Sequence, residues 1–235
     1  MPRSERSHRW RDGRLRAGLV LLGVIAAAAL FAPIISPADP AAQRDVAVTR
    51  FLAPGTIDVN GVLHPLGTDR LGRDVWARLV HGARVSLAVG GLGMAVGLAL
   101  GIVIGVAAAG GPPALAALLL GATDFALGLP RVVLLLLLAA LWEPSATLVV
   151  VVLGLTGWMP VARLVHAETR AQLARPYVLS AAALGAGRIR VLVRHALPHA
   201  MAPVLALATL GVGHAITLEA GLSFLGLGVQ PPAAT

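Results

Sequence analysis

Five apolar stretches leave this chain little choice of architecture. They run from Ala17 to Ile35, Val85 to Ala109, Ala114 to Trp142, Ala146 to Val165 and Ala200 to Leu222. A helix needs about 20 apolar residues to cross the hydrocarbon core. Inside lipid the backbone must satisfy its own hydrogen bonds, which selects helices for such segments. Only 13% of the 235 residues are charged, against about a quarter in a soluble domain. The expected fold class is therefore all-α: a polytopic membrane helix bundle of about five spans with a small extracellular segment.

Charge sets the expected topology. The formal net charge is +8, and every basic side chain is Arg. A basic chain invites a nucleic-acid reading. Here the Arg residues sit beside the apolar runs, where the bias of cytoplasmic loops towards Lys and Arg accounts for them. Residues 1–16 form an Arg-rich cytoplasmic N-terminus holding Arg3, Arg6, Arg9, Arg11, Arg14 and Arg16. Residues 17–35 read as a retained first span. A signal peptide is the competing reading, but the apolar run is long for one and Pro33 and Pro37 follow it. Residues 36–84 read as extracellular, their charges balanced from Ser36 to Gly82; residues 85–235 hold the membrane core, with an inward-facing loop over 166–199. The chain has no Cys, so disulfides and Cys-based metal sites are excluded.

Local signals refine this frame. Thr56 to Leu66 alternates around Asn60-Gly61, a β-hairpin pattern. Thr68 or Asp69 is placed to cap a helix beginning near Leu71, with Trp76 at the interface. Asp69, Arg73 and Asp74 admit a metal or catalytic reading; a capped, salt-bridged amphipathic helix lying on the membrane is favoured. Gly93, Gly97, Gly101 and Gly105 recur every four residues and leave a smooth stripe for a close helix neighbour. Ala114 to Trp142 reads either as an interfacial segment followed by a span or as one kinked helix. Asp124 and Arg131 lie too far apart along a helix to pair with each other. Asp124 is either an ion-coupling carboxylate or a residue at the span's cytoplasmic end, and the second is favoured.

The most informative stretch is Glu168 to Pro198, polar and Arg-rich between two apolar runs. It reads as short helices punctuated by Pro176, Gly185, Gly187 and Pro198. No G-x-x-x-x-G-K-[ST] phosphate-binding loop occurs in the chain. The segment PYVLSAAALGAGRIRVLVRHALPHA resembles the cytoplasmic coupling loop of bacterial ABC importer permeases, with its Glu-Ala-Ala…Gly…Ile-x-Leu-Pro signature. Leu179-Ser180-Ala181 stands at the Glu-Ala-Ala place, Gly185 at the Gly, His195 at the Ile, and Leu197-Pro198 at the end. HPLGTDRLGRDVWARLVHGARVSL (His64 to Leu87) and LEAGLSFLGLGVQPP (Leu218 to Pro232) resemble the C-type permease subunit of the dipeptide/oligopeptide/nickel branch.

That resemblance implies a type I permease-like bundle in the cell (inner) membrane. It implies no cofactor and no enzymatic activity in this chain, with ATP hydrolysis on a separate ATP-binding cassette subunit. A second, B-type permease, an extracellular solute-binding protein and the lipid bilayer are the other implied partners, and nucleic acid is not one. Substrates are dipeptides, oligopeptides, nickel chelates or similar small solutes. Tyr177, Ser180, Ala181, Gly185, Arg188, Arg194, Leu197 and Pro198 are the expected ATPase-coupling residues. Small Ala181, Ala183 and Gly185 permit close approach, Tyr177 anchors the start, Arg188 and Arg194 meet acidic groups or lipid heads, and Pro198 breaks the helix. Two departures stand out. Leu179 replaces the signature Glu, and branch members continue past the Pro-Pro with another span. The runner-up reading is accordingly a truncated, non-functional permease.

Two further classes find partial support in the sequence. An intramembrane serine hydrolase would use Ser223 with His214. These lie nine residues apart on one helix, about 13.5 Å along the axis. An ion-coupled secondary transporter would relay protons through Asp124, Glu219 and His214, but no inverted repeat supports it.

Overall fold

A computed structural model describes residues 4–43 and 45–228. Arg3 and the final Gln230–Thr235 segment, including the end of the Leu218–Pro232 motif, lie outside the described residues. The described residues divide into two compact units, one up to residue 87 and the other from residue 88 on.

In the first unit, α1 (Ser4–Leu30) is followed after Phe31 by the single turn α2 (Ala32–Ile35). The apolar part of α1, Leu15–Leu30, is shorter than the helices that qualify as spans by length. Beyond α3 (Val46–Thr49), β1 (Thr56–Ile57) pairs antiparallel with β2 (Leu63–His64), in register Thr56 to His64. The hairpin expected around Asn60-Gly61 is therefore present, and Gly61 takes the positive φ of 77° that its turn requires. Asp58 closes the loop by accepting hydrogen bonds from the backbone N–H groups of Val62 (2.8 Å) and Asn60 (2.9 Å).

The helix after the hairpin starts later than the sequence suggests. Asp69 is spent within its own turn: its carboxylate accepts from the N–H groups of Leu71 and Arg73 and from the Arg73 guanidinium. Thr68 Oγ1 donates to the Thr49 carbonyl and accepts from the Leu52 N–H, so neither residue caps a helix. The cap is Asp74, whose Oδ1 accepts from the Ala77 N–H at 3.0 Å. Its other oxygen lies 2.9 Å from Nδ1 of His64, tying β2 to the helix start. From there α4 (Val75–Gly110) runs for 36 residues. The separate interfacial helix expected near 71–84 is corrected to the first turns of this long helix. No Pro interrupts Val75–Gly110, and Gly82 alone costs about 1 kcal/mol, too little to break it.

The Asp contacts predict a pH response. Backbone donation from Val62 holds the Asp58 carboxyl below its usual range. Burial pushes Asp69 up, but donation from Arg73 and Leu71 outweighs this and leaves it lowered as well. A carboxyl depressed in the folded state contributes stability above its unfolded value and loses it as pH falls through the folded one. Amide protection factors at Val62, Leu71 and Arg73 should hold down to about pH 4 and fall below it. Asp69→Asn should remove the Leu71 and Arg73 response. Protection that stays constant through acid pH would contradict the assignment.

In the second unit, α5 (Pro113–Leu127) and α6 (Arg131–Ala140) are separated by a three-residue break at 128–130 and bent by 86°. The ambiguous 114–142 stretch is thus two helices with a sharp break between them. The break falls at Pro130, which fixes its own φ and biases Leu129 away from helix. Then come α7 (Ala146–Leu173), α8 (Pro176–Ala183), α9 (Arg188–Arg190), a π-helical segment (Val191–Ala196) and α10 (Leu197–Phe224). Ser145 caps α7 by accepting from the Leu148 N–H.

Among the described residues three helices are long and apolar enough to cross a membrane, and the bent α5–α6 pair makes a fourth if it crosses as one. With the shorter apolar run of α1, the described residues give a polytopic helical bundle. Its core in the second unit is Met94 on α4, Val161 and Val165 on α7, and Val204 and Ala208 on α10. The glycine stripe sits where α4 meets α7. A Cβ on Gly93 would strike Leu153, one on Gly101 would strike Val161, and one on Gly105 would strike Val165. Leu118, Val103 and Leu210 face outward, as expected of a bundle bathed in lipid. Asp124 pairs with Arg163, joining α5 to α7. A partner on another helix is invisible to helical spacing, which had only excluded Arg131.

Candidate functional site

The Arg-rich segment folds as a compact helical hairpin, and its sequence explains each turn. Pro176 occupies the first turn of α8, where a missing N–H costs nothing. The helix ends in a Schellman motif. The Gly185 N–H donates to the Ala182 carbonyl (3.0 Å), and the Ala186 N–H donates to the Ala181 carbonyl (3.1 Å). Gly185 holds φ +88°, a conformation that side chains with a Cβ rarely adopt. A Cβ there would meet nothing within 4 Å. The glycine is thus required by backbone geometry, in open space.

The hairpin is braced from within. Val178, 1% exposed, is the buried anchor of α8. Tyr177 donates its hydroxyl to Gln172 on α7 (3.0 Å) and to the His195 carbonyl in the π-helical segment (3.2 Å). Its ring lies 5.3 Å from that of His199. Arg188 donates to the Gly111 carbonyl at 3.2 Å, holding the hairpin to the end of α4. Leu192 packs where Gly110 has no side chain; a Cβ there would lie 2.4 Å from a Leu192 methyl. Tyr177 and Arg188, expected as partner contacts, therefore already serve intrachain bonds.

Pro198 behaves differently from expectation. It does not break the helix: it lies in the first turn of α10, continuous with α9 and the π-helical turn, and the apolar span runs from Arg188 to Phe224. The chain widens to i→i+5 geometry just before a residue that has no N–H to offer, which relieves the clash a proline makes with the preceding turn.

Of the remaining expected residues, Ser180, Gly185, Arg194 and Pro198 are exposed, whereas Ala181 and Leu197 are half-buried. Around them stand apolar side chains that the signature did not single out. Leu184 is 89% exposed, Ile189 77% and Leu179 56%. Leu179 occupies the Glu place of the signature, so that corner is apolar here. Arg175, Arg190 and Arg194 are exposed around these side chains. Among the described residues no cluster of His, Asp or Glu is arranged to hold a metal. Ser223 donates to Glu219 at 2.8 Å and Asp124 is held by Arg163, so each carboxylate has its own partner.

Fold and surface together define a polytopic helical membrane protein that presents an apolar, Arg-rimmed helical hairpin between two of its spans. The chain belongs to the family of binding-protein-dependent transport system inner membrane components, whose model matches residues 97–235. It is 37% identical over 216 residues to the "Di/tripeptide transport system permease protein DppC" of Pseudomonas aeruginosa, covering 92% of this chain and 70% of that one. A Brucella abortus protein named "Putative peptide permease protein" is 41% identical over 172 residues, 73% of this chain and 57% of the relative. Another from Brucella abortus, named "Putative peptide transport system permease protein", is 36% identical over 226 residues, 96% and 73% of the two chains. The chain thus spans 57% to 73% of the length of these relatives. It is an ABC importer permease by family, and these relatives are named as transport permeases, not as enzymes.

Proposed function

We propose that this chain is the membrane permease subunit of an ATP-driven importer of peptides or similar small solutes. The observation that carries the reading is the conjunction of a peptide-permease relationship along 92% of the chain with an exposed, rigidly capped hairpin at residues 176–190. The permease supplies the pathway and separate ATP-binding cassette subunits supply the hydrolysis. Closure of the ATPase pair moves the hairpin, and α7 and α10, continuous with it, carry that motion into the spans. The hairpin and the N-terminus lie on the cytoplasmic side, with residues 36–74 outside, facing an extracellular solute-binding protein. A second permease subunit completes the pathway.

On this reading Ser180, Ala181 and Gly185 face the ATPase, with Leu184 and Ile189 as its apolar contacts and Arg194 on the charged rim. Tyr177, Arg188, Leu197 and Pro198 hold the hairpin's shape. The test is to tag the full chain, co-express it with the ATPase subunits and the second permease, extract in mild detergent and measure what co-purifies. A stoichiometric ATPase is expected. Leu184→Glu puts a carboxylate into the contact and should lower ATPase recovery about tenfold or more, since a buried unpaired charge costs several kcal/mol. Full recovery with Leu184→Glu would place the ATPase elsewhere on the chain.

A further inference from the structure

A cavity of about 320 Å³ lies within the second unit, between the middles of α4, α7 and α10. Met94, Gly157 and His214 mark its level, each near the midpoint of its helix. Its walls are mostly apolar, supplied by Met94, Leu153, Val161 and Leu207. Two nitrogen-bearing side chains enter this wall: Arg131 from α6 and His214 from α10.

Arg131 is the unexplained group. Its Nε is buried and makes no hydrogen bond among the described residues. The carboxylate nearest in sequence, Asp124, is already taken by Arg163. A guanidinium is always charged, and a charge removed from water is costly unless paired. Intramembrane ionisable groups accordingly mark solute paths by default. Arg131 is also the first residue of α6, directly after the sharp break at 128–130. The start of a broken helix adds partial positive charge at the same point, an arrangement suited to an anionic group at mid-membrane depth. Gly157 keeps the space open: a Cβ there would touch only the Arg131 guanidinium, at 3.6 Å.

We propose that this cavity is a carboxylate-binding subsite of the transport path. It takes a small solute that carries a carboxylate on an apolar body, such as the C-terminal end of a short peptide. Arg131 donates to the carboxylate, His214 offers a second donor, and the Met94–Leu153–Val161 wall receives the apolar group. The site favours carboxylate over amide because only the former neutralises the half-buried guanidinium, whose Nε is enclosed and unpaired. The proposal rests on the permease reading above.

The experiment uses the full chain in detergent and equilibrium dialysis with two probes, Ala-Phe and its C-terminal amide. The wild type should retain Ala-Phe about tenfold better than the amide, the scale of one charge-assisted hydrogen-bonded pair. Arg131→Gln should erase the preference and Arg131→Lys should keep most of it. Gly157→Leu leaves the charge in place but fills the cavity, so it should reduce retention of both probes. Equal retention of Ala-Phe by wild type and Arg131→Gln, including none by either, overturns the subsite. Peptide uptake by the assembled importer separates the two readings. Uptake undiminished by Arg131→Gln removes the subsite and leaves the importer standing. Wild-type chain that binds Ala-Phe through Arg131 but supports no peptide uptake removes the importer reading and leaves the subsite.

Discussion

Gly185→Arg should abolish ATPase co-purification while the chain still inserts in the membrane at its normal level. Two effects act together. The backbone at Gly185 sits at φ +88°, where a side-chain-bearing residue is strained by about 1–2 kcal/mol. Open space surrounds its Cβ position, so Arg makes no clash inside the chain. Its bulk and charge fall instead on whatever docks against the exposed face that Leu184 and Gly185 share. Gly185→Asn separates the two effects, because Asn tolerates this backbone conformation at lower cost. The Asn variant should retain most of the ATPase, and Arg should lose it by about a hundredfold if the side chain enters a packed interface. Equal loss in both variants would shift the explanation from contact to the Schellman turn. Full recovery with Arg would remove the hairpin from the interface.

How far the fold was readable depends on the range of the forces that set each feature. The glycine stripe at 93, 97, 101 and 105 was legible because close helix approach leaves a local, periodic trace, although the partner α7 was not specified. The Asn60-Gly61 turn and the Gly185 terminus were legible for a related reason: a positive φ is a local demand that few residues meet. The start of α4 was misplaced because two carboxylates and a Thr compete to cap it. Asp69 is drawn to Arg73 and Thr68 to Thr49, and only Asp74 remains for the helix. The pairing of Asp124 with Arg163 joins residues 39 positions apart, beyond any helical spacing rule.

The hairpin shows the same division. Its punctuation at Pro176 and Gly185 follows from backbone preferences, and the family signature adds the role. The duty of Tyr177 is not readable this way, because its hydroxyl answers to Gln172 and to a carbonyl 18 residues on. Pro198 was read as a break because proline usually is one. The widened turn at Val191–Ala196 absorbs it and keeps the hairpin's second arm continuous with α10. That continuity matters for function, since a rigid arm transmits a displacement that a flexible joint would absorb.

The packing of that frame carries the other large expected effect. Gly101→Leu should prevent the bundle from assembling, even though the chain remains apolar enough to enter the membrane. A Cβ at Gly101 would lie 2.5 Å from the Val161 Cβ and 2.8 Å from the Trp158 carbonyl oxygen. Val161 is 1% exposed and has nowhere to retreat, and the carbonyl belongs to the backbone of α7. The helices must therefore separate, giving up the Met94–Val161–Val165 contacts that centre the core. Overpacking of this kind costs about 1–3 kcal/mol where side chains can yield; here backbone is struck, so the loss should exceed about 3 kcal/mol. Gly91→Leu is the matched control, since a Cβ at Gly91 meets nothing within 4 Å on the same helix. Thermal unfolding in detergent should leave Gly91→Leu within a few degrees of the wild type, while Gly101→Leu should show no cooperative transition. A normal transition for Gly101→Leu would mean that α4 and α7 do not meet along this stripe, and the cavity they help to wall would lose its frame with it.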